Sequence, residues 1–102
     1  MSSFRDVQNI IDDWIRKHGG YWPPLAMLAA IIEEIGELAK EINHLEGYKP
    51  KKYKNSEINI GEELADVLYA LICIANYYKI DLDQELDSVI NKYSSRDSKR
   101  FV

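Results

Sequence analysis

Two pairs of carboxylates are the residues of this sequence whose types and spacing best suit chemistry. They are Glu34 with Glu37 and Glu63 with Asp66, each pair spaced three residues apart, as on one face of a helix. An uncharged run, 67–75, follows the second pair, so these acids are expected near the protein interior, where unpaired negative charge is costly. A divalent cation would relieve four converging carboxylates, and hard oxygen ligands favour Mg²⁺, Mn²⁺ or Ca²⁺. The pattern therefore predicts a metal-dependent site that handles phosphates.

A plainer interpretation of the same acids is a solvated helix face that pairs with lysines one turn away. The chain has 17 acidic residues, so a single pair at this spacing is weak evidence for ligands. Glu63 and Asp66 form the stronger pair because no cationic side chain follows them before Lys79. Two such pairs on separate helices favour the metal site.

Helices are predicted to position these acids, because apolar residues recur every three or four positions and no useful length alternates as a strand would. The first helix is expected to start after an N-cap at Ser3 and to end at Gly19-Gly20. The second is expected to start at Pro23-Pro24 and to stop by Gly47. A basic, aromatic stretch broken by a proline, 48–55, is predicted to be a loop.

Two further helices are predicted in the second half of the chain. The third is capped by Ser56 or Asn59 and continues to about Tyr78, and the fourth is capped by Asp81, with a polar, basic tail at 96–100. The expected fold class is all-α, a compact four-helix bundle in a single domain over residues 1–102. Four short helices leave apolar side chains uncovered, so oligomerisation to a homodimer or homotetramer is expected to complete the bundle.

Composition narrows the functional classes. A formal charge of −4 and a pI near 5.1 argue against a nucleic-acid coat or a membrane-surface protein, so no nucleic-acid polymer and no membrane is expected as a partner. The chain has one cysteine, Cys73, which excludes an intramolecular disulfide framework. The N-terminus lacks the apolar stretch of a signal peptide, and the longest uncharged run is too short to span a membrane. A cytoplasmic location is expected.

Two ordered segments resemble a known family. They read EEIGELAKEI from Glu33 and GEELADVLYAL from Gly61, and Ile80-Asp81-Leu82 is similar to the start of the family's last helix. The pattern resembles the MazG-like nucleotide pyrophosphohydrolases of the all-α nucleoside triphosphate pyrophosphatase superfamily. The resemblance covers residues 18–96, and the ordered pair of motifs is more specific than either motif alone.

The resemblance implies a Mg²⁺-dependent hydrolase, with Mn²⁺ as a substitute ion, that splits a (d)NTP into the monophosphate and pyrophosphate in nucleotide-pool housekeeping. At the matched positions it implies four metal ligands, Glu34, Glu37, Glu63 and Asp66. An adjacent carboxylate, Glu33 or Glu62, is expected to accept the proton of the attacking water.

The resemblance also implies substrate contacts outside the acids. The residues expected to contact the nucleobase are His18, Tyr21 and Trp22, and those expected to reach a phosphate are Lys92, Arg96 and Arg100. The chain departs from the family at Val89, where relatives often carry a lysine. The basic loop 49–54 is an alternative cationic partner, although such a loop is usually just solvated. Trp14 is expected to be a core or interface residue.

Two rival functions remain open. A ferritin-like carboxylate bundle uses two Glu-x-x-His motifs, and this chain has one, Glu41 to His44, whereas His18 has Ile15 in the position of the glutamate. The other rival is a non-catalytic helical oligomerisation or adaptor module, whose acids serve only solubility. It predicts that Mg²⁺ or Mn²⁺ changes neither the melting temperature nor nucleotide binding.

Overall fold

A computed structural model describes residues 3–47 and 59–100, with side chains up to residue 96. The helices are α1 (Phe4–Lys17), α2 (Pro24–Leu45), α3 (Ile60–Tyr77) and α4 (Leu82–Arg100). These ranges contain no strand, so the predicted all-α class with four helices is confirmed. The chain forms two compact units, Met1–Tyr21 with Ala75–Val102 and Trp22–Ile74. The single domain stays a prediction.

The predicted helix starts are confirmed by side-chain caps that satisfy otherwise unpaired backbone N–H groups. The capping hydrogen bonds join Asp6 N to Ser3 Oγ (3.1 Å), Glu62 N to Asn59 Oδ1 (2.8 Å) and Gln84 N to Asp81 Oδ1 (3.3 Å). α2 starts at Pro24, a position where the missing N–H costs nothing. The alternative cap Ser56 and the predicted loop 48–55 lie outside the described residues.

Residues with positive φ follow the ends of α1 and α2. Gly19 and Gly20 follow α1 with φ of 110° and 86°, and Gly47 follows α2 with φ of 78°. The polar, basic tail expected at 96–100 belongs to α4, which continues to Arg100. No glycine or proline interrupts residues 82–100, so nothing in that segment stops the helix.

Within the first unit, a carboxylate from α4 caps the start of α1. The two oxygens of Asp83 accept hydrogen bonds from the backbone N–H groups of Phe4 and Arg5, each at 3.1 Å. An anion is favourable there because the helix dipole places partial positive charge at the N-terminus. The Arg5 side chain also forms an ion pair with Asp81 at 2.6 Å. Residues nearly eighty positions apart are thus joined by polar contacts.

The buried side chain of Gln8 joins α1 to the turn between α3 and α4. Its Nε2 donates to Asn76 Oδ1 (3.0 Å) and to the carbonyl oxygen of Ile80 (2.8 Å), and its Oε1 accepts from the Leu82 N–H (3.1 Å). Gln8 is only 7% exposed, so each of these bonds replaces contact with water. The carboxamide therefore fixes the turn against α1.

Replacing Gln8 with Leu is expected to destabilise the fold by about 3 kcal/mol, because Asn76, Ile80 and Leu82 would lose buried hydrogen-bond partners. Thermal unfolding followed by circular dichroism would show a melting temperature lower by about 15 °C for a chain of this size. The matched control is Gln84→Leu at the exposed glutamine of α4. Equal melting temperatures for the two variants would contradict the role given to Gln8.

Large apolar side chains remain exposed throughout the described part of the chain. Buried hydrophobic residues are few, namely Ile11, Met27, Ile31, Ile72, Cys73 and Ala75. By contrast, Leu25 is 76% exposed and Ile32 is 63% exposed. Such surface is typical of a chain that buries more area by association. The homodimer or homotetramer stays a prediction, which sedimentation velocity would test.

No described helix combines the length and the apolar character that crossing a membrane requires.

Candidate functional site

The second unit brings acids from two helices together. Ligand atoms of Glu34 on α2 and of Glu63 and Asp66 on α3 all lie within 4.8 Å of one another. Oxygens that share one divalent cation lie about 3 to 4 Å apart, so the observed separation is close to that of a ligand set. These three residues are called the acidic cluster below.

Glu63 is the member of the acidic cluster whose burial and neighbouring charges clearly disfavour its ionised form. Its Oε2 is buried and has no hydrogen-bond partner among the residues that the structure describes. Burial raises the pKa of Glu63 above its ordinary value, and the negative charges of Glu34 and Asp66 raise it further. Such an oxygen is costly to bury as an anion unless a cation or a proton satisfies it.

No protein cation offsets this charge in the part of the chain that the structure describes. The ion pairs shorter than 4 Å among the described residues join Arg5 to Asp81 and Arg16 to Asp12. Both pairs lie outside the acidic cluster. Glu37, the fourth predicted ligand, is exposed and lies one turn after Glu34 on α2. It is not one of the three residues of the acidic cluster, but its charge contributes to the raised pKa of Glu63.

The two predicted proton acceptors differ in their surroundings. Glu62 closes a reciprocal cap at the start of α3, because its Oε2 accepts a hydrogen bond from Asn59 Nδ2 at 3.2 Å. Glu33 is exposed on α2, and its carboxylate makes no hydrogen bond or ion pair with any described residue. Glu33 is therefore the freer of the two carboxylates.

Two of the predicted nucleobase contacts, His18 and Tyr21, belong to the first unit. The His18 ring stacks on Trp14 with 4.0 Å between ring centroids and 18° between planes, and its Nδ1 lies 2.7 Å from the Trp14 carbonyl oxygen. Trp14 is 54% exposed and so lies outside the core of this chain, and its expected place at an interface stays a prediction. One helical turn separates the two rings, which is why they stack.

Tyr21 and the third predicted contact, Trp22, are differently placed. The Tyr21 hydroxyl donates to Asp12 Oδ1 at 2.5 Å, and Arg16 Nε donates to Asp12 Oδ2 at 2.9 Å. Both hydrogen bonds hold the pKa of Asp12 below its usual value, and the bond from Tyr21 has the larger effect. Trp22 is 65% exposed. Sequence reasoning missed the role of Asp12, for which only its helical spacing to Arg16 was a signal.

The predicted phosphate contacts share one stretch of α4. Lys92 Nζ lies 4.9 Å from the centre of the Tyr93 ring, and the Arg96 guanidinium carbon lies 4.4 Å from it. Both cations therefore lie near one exposed aromatic ring. Arg100 and the loop 49–54 fall outside the side chains that the structure describes.

The ferritin-like alternative gains little support. His44 Nδ1 is buried without a hydrogen-bond partner, but neither Glu41 nor His44 belongs to a group of three metal-ligand side chains among the described residues. A di-iron centre needs ligands from several helices. The described part of the chain offers that only at the acidic cluster.

Comparison with known proteins agrees with the acidic motifs. Residues 23–101 match the MazG nucleotide pyrophosphohydrolase domain. An uncharacterized protein of Bacillus subtilis (strain 168), YpjD, is 42% identical over 101 residues, which cover 98% of this chain and 91% of that protein.

Two crystal structures are also similar. YPJD from Bacillus subtilis superposes with a TM-score of 0.81 at 41% identity, covering 91% of this chain and 96% of that one. The Bacillus-conserved MazG protein, a nucleotide pyrophosphohydrolase, has a TM-score of 0.77 at 41% identity, covering 91% of this chain and 90% of that one. The predicted family resemblance and enzyme class are thereby confirmed. This chain belongs to the MazG nucleotide pyrophosphohydrolase family.

Proposed function

We propose that this chain is a divalent-metal-dependent hydrolase that splits a nucleoside triphosphate, ribose or deoxyribose, into the monophosphate and pyrophosphate. Its role would be housekeeping of the nucleotide pool. The observation that carries the proposal is the convergence of Glu34, Glu63 and Asp66 within 4.8 Å. Carboxylates so close together, with no cationic side chain among the described residues beside them, are suited to a hard divalent ion that also binds phosphate oxygens.

The environment of the Glu63 carboxylate suits a metal ion, and this observation is independent of family membership. The buried Oε2 of Glu63 has no hydrogen-bond partner, and burial and neighbouring acids raise the pKa of that side chain. A structural carboxylate would be expected to have a donor within reach. The missing donor supports Glu34, Glu63 and Asp66 as the ligands, with Glu37 one turn away as a fourth.

When bound, Mg²⁺ or Mn²⁺ would offset the negative charge of the phosphates and polarise the phosphorus under attack. The chain contributes the rigid placement of the acids. Glu34 is held by α2, and Glu63 and Asp66 share one face of α3 because three residues separate them. Glu34, Glu63 and Asp66 would hold the ion, whose positive charge would offset both their mutual repulsion and the charge of the phosphates.

A carboxylate beside the cluster would take the proton of the attacking water. Glu33 or Glu62 is proposed for this step. The existing hydrogen bond of Glu62 to Asn59 favours Glu33, whose oxygens have no competing donor among the described residues. His18, Tyr21 and Trp22 are proposed to contact the nucleobase.

Lys92 and Arg96 are proposed as phosphate contacts because they place two cations within one helical turn of α4.

The oligomer predicted above would act as the functional assembly.

The experiment that tests the proposed reaction is a panel of standard and modified nucleoside triphosphates with Mg²⁺. Product anions are separated by ion-exchange chromatography, so that pyrophosphate is distinguished from inorganic phosphate. We expect pyrophosphate and the nucleoside monophosphate in equal amounts, and no product in the presence of excess chelator. Release of inorganic phosphate together with a nucleoside diphosphate would contradict the proposed site of cleavage.

A further inference from the structure

A polar cleft in the first unit lies outside the site described above. Its volume is about 310 Å³, and one face of α1 lines it together with residues from the segment 76–81. None of its lining residues belongs to the acidic cluster or to the predicted substrate contacts. Clefts that hold small molecules measure about 300 to 1,000 Å³, so this one suits a small ligand.

The side chains that line the cleft carry one more positive than negative charge, and the carboxylates of Asp6 and Asp83, which do not line it, also act on Arg5. Arg5, Arg16 and Lys79 line it against two carboxylates, those of Asp12 and Asp81. The whole chain has a formal charge of −4, so this local excess of cations runs against the composition. A concave surface with an excess of one charge favours ligands of the opposite charge.

The hydrogen-bond acceptors of the cleft are already engaged inside the protein. Each of the four carboxylate oxygens accepts a hydrogen bond, from Tyr21 (2.5 Å) and Arg16 (2.9 Å) at Asp12, and from Arg5 (2.6 Å) and Gln84 N (3.3 Å) at Asp81. The carboxamide oxygens of Gln8 and Asn76 accept from Leu82 N and from Gln8 Nε2. Each of these oxygens thus has one hydrogen-bond donor within the protein already, which leaves one lone pair of each for a ligand.

The donors of the cleft are mostly unused. The Lys79 ammonium and the Asn9 carboxamide make no hydrogen bond with any residue that the structure describes. The side chains of Arg5 and Arg16 each bond through a single nitrogen, Nη2 and Nε respectively, although a guanidinium carries five N–H donors. The cleft therefore offers positive charge and more unused N–H donors than unused acceptor oxygens, of which Asn9 Oδ1 is one.

The geometry points to this cleft as a second binding site, one that takes a small phosphate-bearing anion. A phosphate group carries up to two negative charges and several acceptor oxygens, which match an excess of N–H donors better than a neutral ligand does. The anion is either inorganic, as pyrophosphate is, or the phosphate of a nucleotide. The site uses none of the acidic cluster, so it does not depend on the proposed reaction.

The test is a titration of the full-length protein with inorganic phosphate, pyrophosphate or AMP in excess chelator, followed by amide chemical shifts. Without divalent ions the acidic cluster repels phosphates, which keeps this result separate from the hydrolase proposal. We expect saturable shifts at Asn9, Asp12 and residues 76–81. Tighter binding of pyrophosphate identifies an inorganic ligand, and tighter binding of AMP identifies a nucleotide. Either result supports the site.

Lys79→Asn is the diagnostic variant. Lys79 has φ of 58°, a conformation that asparagine tolerates, and its ammonium holds no other described residue in place. We expect anion binding to weaken about tenfold, the value of one charge-assisted hydrogen bond. The control Lys17→Asn removes an equal charge from α1 outside the cleft and should leave binding unchanged. Equal weakening by both variants, no saturation at about 10 mM anion, or shifts confined to 92–96 would overturn the inference.

Discussion

Asp66→Asn is expected to reduce the kcat/KM of nucleoside triphosphate hydrolysis at least about 100-fold, because loss of a metal ligand should exceed the 10- to 100-fold cost of disturbing a residue behind the ligands. The substitution keeps the shape of the side chain and removes its charge. Asp66 is exposed, so the helical fold should survive the change. Steady-state kinetics with pyrophosphate detection, together with far-ultraviolet circular dichroism, measure the two effects separately.

The matched control for this variant is Asp13→Asn, which removes one exposed carboxylate of α1 that makes no hydrogen bond with the described residues. It should retain wild-type kinetics. Glu63→Gln is a second variant of the same site. We expect a similar loss of activity and, without divalent ions, a change in the stability of the protein. Removing a charge crowded by Glu34 and Asp66 should raise its melting temperature. Full activity in Asp66→Asn and Glu63→Gln would remove both residues from the proposed site.

The second large effect expected is stabilisation by divalent ions. At an ion concentration about 100 times Kd, binding to the folded state alone adds about 2.7 kcal/mol to the free energy of unfolding. For a chain of this length that corresponds to a melting temperature higher by about 13 °C. Differential scanning fluorimetry with MgCl₂ or MnCl₂ measures the shift. The physical reason is that the ion supplies the partner that the buried Oε2 of Glu63 lacks.

Salt alone must be separated from specific binding, because screening also weakens repulsion between carboxylates. NaCl at matched ionic strength is therefore the control, and it should produce a much smaller shift than either divalent salt. Asp66→Asn should lose most of the shift, and Asp13→Asn should keep it. Identical curves with and without Mg²⁺ or Mn²⁺ would favour the non-catalytic adaptor, which makes that prediction.

The helices of this protein could be predicted from the sequence because their signals are local. The caps at Ser3, Asn59 and Asp81, Pro24 at the first position of α2 and the glycines after α1 all act within one or two turns of the backbone. The polar, basic tail expected at 96–100 is part of α4, which continues to Arg100. A polar helix without glycine or proline has no local reason to end.

The acids of the candidate site could be named from the sequence, but their convergence could not be derived from it. Spacing placed Glu63 and Asp66 on one face of α3, since three residues are nearly one turn. Whether Glu34 or Glu37 of α2 lies beside them depends on how the two helices are rotated about their axes. That rotation is set by packing, and the acidic cluster includes Glu34 without Glu37.

The long-range polar contacts depended on the tertiary structure alone. Asp83 caps a helix that begins 79 residues earlier in the chain, and Gln8 reaches a turn about 70 residues away. Neither residue has a neighbour in sequence that would reveal its partner. The sequence thus determined the helices and the acidic motifs, whereas the fold decided which side chains satisfy one another and which buried oxygen is left without a donor. The reason is that capping and helical spacing act over a few residues, while burial depends on the whole chain.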